Sequence, residues 1–139
     1  MINSLASSET VAVIPARGGS KGLPRKNILD IAGRPLITHT VAHALDASVI
    51  DRVYVSTDDA EISEIASESG AIVIDRPIEL SGDQATTEQA LEHALCVMLE
   101  EYNLDPDILV LLQCTSPIRG SEDIDDAVRM VSSLSLIHI

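Results

Sequence analysis

VAVIPARGGSKGLPRKN, residues 11–27, joins two signals that together decide the fold. VAVIPA is an apolar, β-branched run too short for a typical helix, and it reads as a strand covered on both faces. RGGSKGLPRKN follows at once, with three glycines, a serine and four cations (Arg17, Lys21, Arg25, Lys26) and no acid. A glycine-rich turn at a strand end exposes successive backbone N–H groups as a concave nest for an anion. Arginine adds a planar fork for phosphate oxygens and lysine a mobile point charge. A polyphosphate is the ligand that fits such a loop best; the alternative is a solvated loop whose cations balance an acidic surface.

The rest of the chain sharpens the contrast. The 139 residues hold 22 Asp and Glu against 9 Lys and Arg, a formal net charge of −13, so outside this loop 22 acids face 5 bases. A general binder of nucleic acid or of anionic membranes needs a basic face, which this balance argues against. With no Trp, no Phe and two Tyr, stacking of bases on aromatic side chains is nearly excluded as well. At 45% hydrophobic residues the chain can bury a core, and its length suits one domain.

Outward from residue 11, short apolar runs alternate with helical periodicity. Residues 35–46 place Ile37, Val41, Ala44 and Leu45 on one helical face, with Pro35 in the first turn. RVYVST, residues 52–57, is a second strand. Asp58 and Glu61 have the spacing of a capping pair for a helix with Ile62, Ile65 and Ala66 inward, ended by Gly70. AIVID, residues 71–75, is a third strand. Thr86 and Gln89 again have capping spacing, ahead of a helix with Leu91, Ala94, Leu95, Met98 and Leu99 on one face. DILVLLQ, residues 107–113, is a fourth strand, and Ser121 caps a last helix carrying Ile124, Val128 and Val131.

Four strands alternating with four helices predict a Rossmann-like α/β fold with a mainly parallel sheet, helices on both faces and right-handed crossovers. Ligands in such sheets bind beyond the carboxyl ends of the strands. Residues 1–10 read as a loose tail and 11–139 as one domain. SSLSLIHI, residues 132–139, stops without a polar terminus where another strand is due, which suggests C-terminal truncation. The tail lacks the basic and apolar regions of a secretory signal, and nothing approaches about 18 consecutive apolar residues. Cytoplasm is the default compartment, with Cys96 and Cys114 as free thiols in apolar stretches.

The phosphate loop is neither a P-loop nor a dinucleotide fingerprint, because Gly18, Gly19 and Gly22 are wrongly spaced for both. Together with RPIELSGDQATT (residues 76–87) and LLQCTSPIR (residues 111–119), it resembles the acylneuraminate cytidylyltransferases over residues 11–131, with three motifs in order. The resemblance implies a nucleotide-diphospho-sugar transferase type of fold and cytidylyl transfer from CTP to the anomeric hydroxyl of a nine-carbon acidic sugar. Pyrophosphate release, Mg²⁺ dependence and a homodimeric parent protein follow from it too. Loops of synthetases for legionaminate or pseudaminate are very similar, and those for Kdo fit less well.

Carried over by motif, Arg17, Gly18, Gly19, Ser20, Lys21, Arg25, Lys26 and Asn27 hold the nucleotide, with Lys26 and Arg17 at the reacting phosphate. Arg76 lies beside the nucleotide, and Ala85 and Thr87 line the cytosine pocket. Gln113, a catalytic candidate, faces the sugar, and Arg119 binds its carboxylate. Plainer readings stand beside these: Arg76 paired with Asp75 or Glu79, and Arg119 in a salt bridge at the start of a helix.

The metal-binding Asp pair of the family belongs to a later part, so none of the metal ligands is expected in this chain. His39 and His43 are at helical spacing, but Thr40 stands where a zinc-protease motif needs Glu, and a structural role is favoured. Glu122, Asp123, Asp125 and Asp126 read as helix N-terminal charge rather than a metal site. Asp58 and Asp59 are poor metal ligands because capping accounts for them, and Asp83 because it lies in a loop with no acidic mate. A non-catalytic nucleotide-binding fragment is the alternative from a different class.

Overall fold

Strand periodicity in this chain serves two cores at once. The structure, a computed structural model, describes residues 9–17, 30–31, 33–77, 86–113 and 135–138. Its elements are β1 (Thr10–Pro15), β2 (Asp30–Ile31), β3 (Arg34–Pro35), α1 (Leu36–Asp46), β4 (Arg52–Thr57), α2 (Ala60–Glu68), β5 (Ile72–Asp75), α3 (Thr87–Glu101), β6 (Ile108–Leu111) and β7 (Ser135–His138). The main sheet runs in the order β5-β4-β1-β6-β7, and every pair in it is parallel.

Side chains alternate across that sheet. Ala12, Ile14, Val53, Val55, Ile108 and Val110 face α1 and α2, where they meet Ile37, Val41, Ala44, Ile62 and Ala66. Val11, Val13, Tyr54, Ile74, Leu109 and Leu111 face the other way, onto Leu91, Ala94 and Met98 of α3. Both faces of the central strands are therefore apolar, which is why VAVIP reads as an unbroken hydrophobic run. The predicted α/β fold with helices on both faces is what forms.

The topology positions the site. The chain leaves β1 over the α1 face to reach β4 and β5, then returns over the α3 face to β6 on the other flank of β1. The winding thus reverses between β1 and β6, and in sheets of this type ligands bind beyond the carboxyl ends at that point.

Several expectations change in detail. β1 begins at Thr10, because Glu9 and Thr10 are already tied in: the Glu9 carbonyl accepts the N–H groups of Asp107 and Ile108, and Thr10 N–H donates to Asp51. The apolar end of the chain forms a further strand, β7, beside β6, and a two-residue hairpin, β2–β3, precedes α1. Its Gly33, at φ 85°, takes the turn that other residues avoid. Pro35 caps α1 from outside rather than sitting in its first turn. The Ser121 helix lies outside the described residues.

The cap of α2 is Asp59, not Asp58. Its carboxylate accepts the N–H groups of Glu61 and Ile62 at 2.9 and 3.0 Å, while Thr57 Oγ accepts the N–H of Asp59 itself. Gly70 closes α2 at φ 104°, and Thr86 with Gln89 forms a reciprocal capping box on α3, both as expected. Leu45, Leu95 and Leu99 are exposed instead of buried, and Cys96 is an exposed thiol. Each helix packs a narrower stripe than its composition allows. No helix among the described residues is long and apolar enough to cross a membrane.

Two measurements check this packing. Asp59→Ala is expected to cost about 1 kcal/mol in chemical denaturation, with Asp59→Asn retaining most of the cap. Tyr54 is fully buried, with its ring edge-on to Tyr102 at 5.7 Å. Burial raises its pKa above the usual 10, partly opposed by Arg52. The unfolded phenol ionises first, so its contribution is complete below about pH 10 and declines above it. Tyr54→Phe is expected to lessen the loss of stability as pH rises above about 10, measured by denaturant unfolding at each pH.

Candidate functional site

Three strand ends are pinned by one carbonyl. The oxygen of Ser56, near the end of β4, accepts the N–H of Ala16 at 2.9 Å and the guanidinium Nη2 of Arg76 at 2.9 Å. Arg76 N–H in turn donates to the carbonyl of Thr57 at 2.9 Å. The chain segments that leave β1, β4 and β5 are thereby held side by side. Arg17, half-buried, is the next residue after Ala16.

Arg76 is 6% exposed, an unusual degree of burial for a guanidinium. Burial lowers its pKa from the ordinary arginine value; Asp58 acts in the opposite direction, and Arg17 lowers it further. The acid whose charge acts on this arginine is Asp58; of the plainer pairing with Asp75 or Glu79, Glu79 lies outside the described residues. Asp58 was read from spacing as a helix cap. With Asp59 in that role, the charge of Asp58 acts on Arg76.

Arg17 and the buried Arg76 thus lie within electrostatic reach of each other. The field of the pair is strengthened by the low-dielectric surroundings of Arg76. Gln113, half-buried, lies just past β6 on the far side of β1, where the winding reverses. The Leu112 N–H still donates to the Val13 carbonyl at 3.1 Å, which continues the β1–β6 pairing up to this residue. Arg17 and Gln113 therefore follow the two strands that flank the switch point.

Thr87 is the first residue of α3, directly after the Thr86 cap, where a helix offers unpaired backbone N–H groups. Gly18, Gly19, Ser20, Lys21, Arg25, Lys26, Asn27, Ala85 and Arg119 lie outside the described residues. Sequence reasoning missed the Ser56 carbonyl and the role of Asp58. The signal for the second was the Asp58–Asp59 pair itself, since one helix start uses a single capping side chain. His39 faces Arg34, with Nδ1 3.5 Å from the guanidinium. Among the described residues no group of three or more His, Cys, Asp and Glu is placed to hold a metal.

The family model described as Cytidylyltransferase matches residues 11–135. An N-acylneuraminate cytidylyltransferase of Streptococcus agalactiae serotype III is 44% identical over 125 residues, covering 88% of this chain and 29% of that protein. A CMP-N,N'-diacetyllegionaminic acid synthase of Legionella pneumophila is 42% identical over 134 residues, covering 93% of this chain and 56% of that protein. The solved structure of CMP:2-keto-3-deoxy-manno-octonic acid synthetase complexed with CTP superposes with a TM-score of 0.72 at 31% identity, over 88% of this chain and 47% of that one. The chain thus spans only about a third to a half of the length of these proteins. A single motif-bearing segment that matches from its first strand to its last, on the same fold, makes the chain a member of the cytidylyltransferase family.

Proposed function

We infer that this chain is the nucleotide-binding part of an enzyme that transfers a cytidylyl group from CTP to the anomeric hydroxyl of a sialic-acid-like nonulosonic acid. The hydroxyl oxygen forms a bond to the α-phosphorus and loses its proton; the bond from that phosphorus to the bridging oxygen breaks, and pyrophosphate leaves. Such a reaction is mainly positioning and charge neutralisation. The observation that carries the reading is the convergence of Arg17 and buried Arg76 at the end of the sheet. It is supported by relatives named for transfer to N-acylneuraminate and to a diacetylated legionaminic acid.

In this reading Arg17, Gly18, Gly19, Ser20, Lys21, Arg25, Lys26 and Asn27 cradle the triphosphate, with Lys26 following the charge at the reacting phosphate. Arg76 adds a fixed positive field from the sheet, Ala85 and Thr87 border the cytosine, and Gln113 and Arg119 address the sugar. The protein works in the cytoplasm as a homodimer. Magnesium is implied by the resemblance alone. The described residues do not fit it: among them no group of three or more His, Cys, Asp and Glu is placed to hold a metal.

Pyrophosphate release, measured for the longer parent protein with a panel of nine-carbon α-keto acid sugars, is expected with CTP and not with ATP or GTP; equal turnover of the three nucleotides overturns the assignment. Lys26→Ala is expected to weaken CTP binding by calorimetry, and unchanged affinity would mean the phosphate site lies elsewhere. Arg17→Gln separates function from stability. It removes a repulsive neighbour of Arg76, so the unliganded chain should unfold at the same or a higher denaturant concentration. Tripolyphosphate affinity should nevertheless fall about tenfold or more, as befits a lost charged hydrogen bond.

A further inference from the structure

Of the charged residues that leave the sheet beside one another at the site, the middle one is an acid. β4 lies between β1 and β5. Asp58 follows β4 directly, Arg76 follows β5 directly, and Arg17 is the second residue past β1. The bonds from Ala16 N–H to the Ser56 carbonyl and from Arg76 N–H to the Thr57 carbonyl hold the three exits together, so Asp58 leaves the sheet with a cation on either flank. It is exposed, whereas Arg76 is buried. Capping does not account for it, because Asp59 supplies the carboxylate that caps α2. The charges of Asp58 and Arg17 both act on the Arg76 guanidinium, in opposite directions.

A carboxylate is an unexpected group in a place that takes a polyphosphate. It gives a buried guanidinium the counter-charge that burial demands, and the same charge repels an anionic ligand. We propose that Asp58 is an affinity-setting residue, which stabilises the fold around Arg76 while keeping polyphosphate exchangeable at the strand ends between Arg17 and Arg76. The proposal rests on the reading of this region as a polyphosphate site. In the reaction set out above, pyrophosphate has to leave once its bond to the α-phosphorus is broken, and a carboxylate between the two arginines hastens that departure. Its repulsion grows with the charge of the ligand, so it weighs more on pyrophosphate than on orthophosphate.

Calorimetry with pyrophosphate and with tripolyphosphate, on the full chain and on Asp58→Asn, reads binding, and denaturant unfolding without ligand reads stability. Asp58→Asn is expected to bind both about threefold or more tightly, with an affinity that falls more steeply as salt is added, and to unfold at a lower denaturant concentration. Tighter binding by a less stable chain is the signature, since damage to the fold lowers both together. Asp58→Glu keeps the charge and should match the original chain in affinity. If Asp58→Asn does not fold, Arg76→Met removes the buried charge that needs Asp58, and adding Asp58→Asn to it should still tighten binding. Equal or weaker binding on loss of the Asp58 charge overturns the proposal and leaves the polyphosphate reading standing, as long as the original chain binds. No binding of either phosphate by the original chain overturns both.

Discussion

The carbonyl of Ser56 holds the candidate site together. It accepts hydrogen bonds from the backbone ahead of Arg17 and from the guanidinium of Arg76, so two cations that arrive from different strands are fixed beside each other. Burying a guanidinium is costly unless its donors are satisfied and an opposite charge stands near. Ser56 accepts from the guanidinium and Asp58 supplies the opposite charge, while Arg17 acts against them.

That geometry depends in turn on the order of the strands. β1 is central, its two faces packed by separate helical layers, and the chain winds away from it in opposite directions. In folds of this kind ligands bind beyond the strand ends at such a switch point, here between β1 and β6.

Much of the scaffold was legible because it depends on local spacing. The apolar runs, the Thr86–Gln89 box and the glycine that ends α2 each involve residues a few positions apart. The candidate site was legible as composition: the cations of residues 17–27 and the arginine after the third strand stand out against a chain so acidic. What could not be read was any effect whose partners lie far apart in sequence. Spacing to Glu61 favours Asp58 as the cap, yet the chain path after Thr57, whose hydroxyl accepts the Asp59 N–H, makes Asp59 the cap of α2. β7 was hidden for the same reason: the four residues Ser135–His138, two of them apolar, become a strand by pairing with β6.

Sequence alone determined the class of fold, the alternation that sends side chains to two cores, and the concentration of positive charge after the first strand. Helical and strand periods are properties of neighbouring residues, and they survive without knowledge of the rest. Only tertiary structure decided that Arg76 is buried against Ser56, that Asp58 is its counter-charge, and that Leu95 and Leu99 lie outside the core. Periodicity says which residues share a face; how much of that face is covered depends on the width of the sheet beneath it.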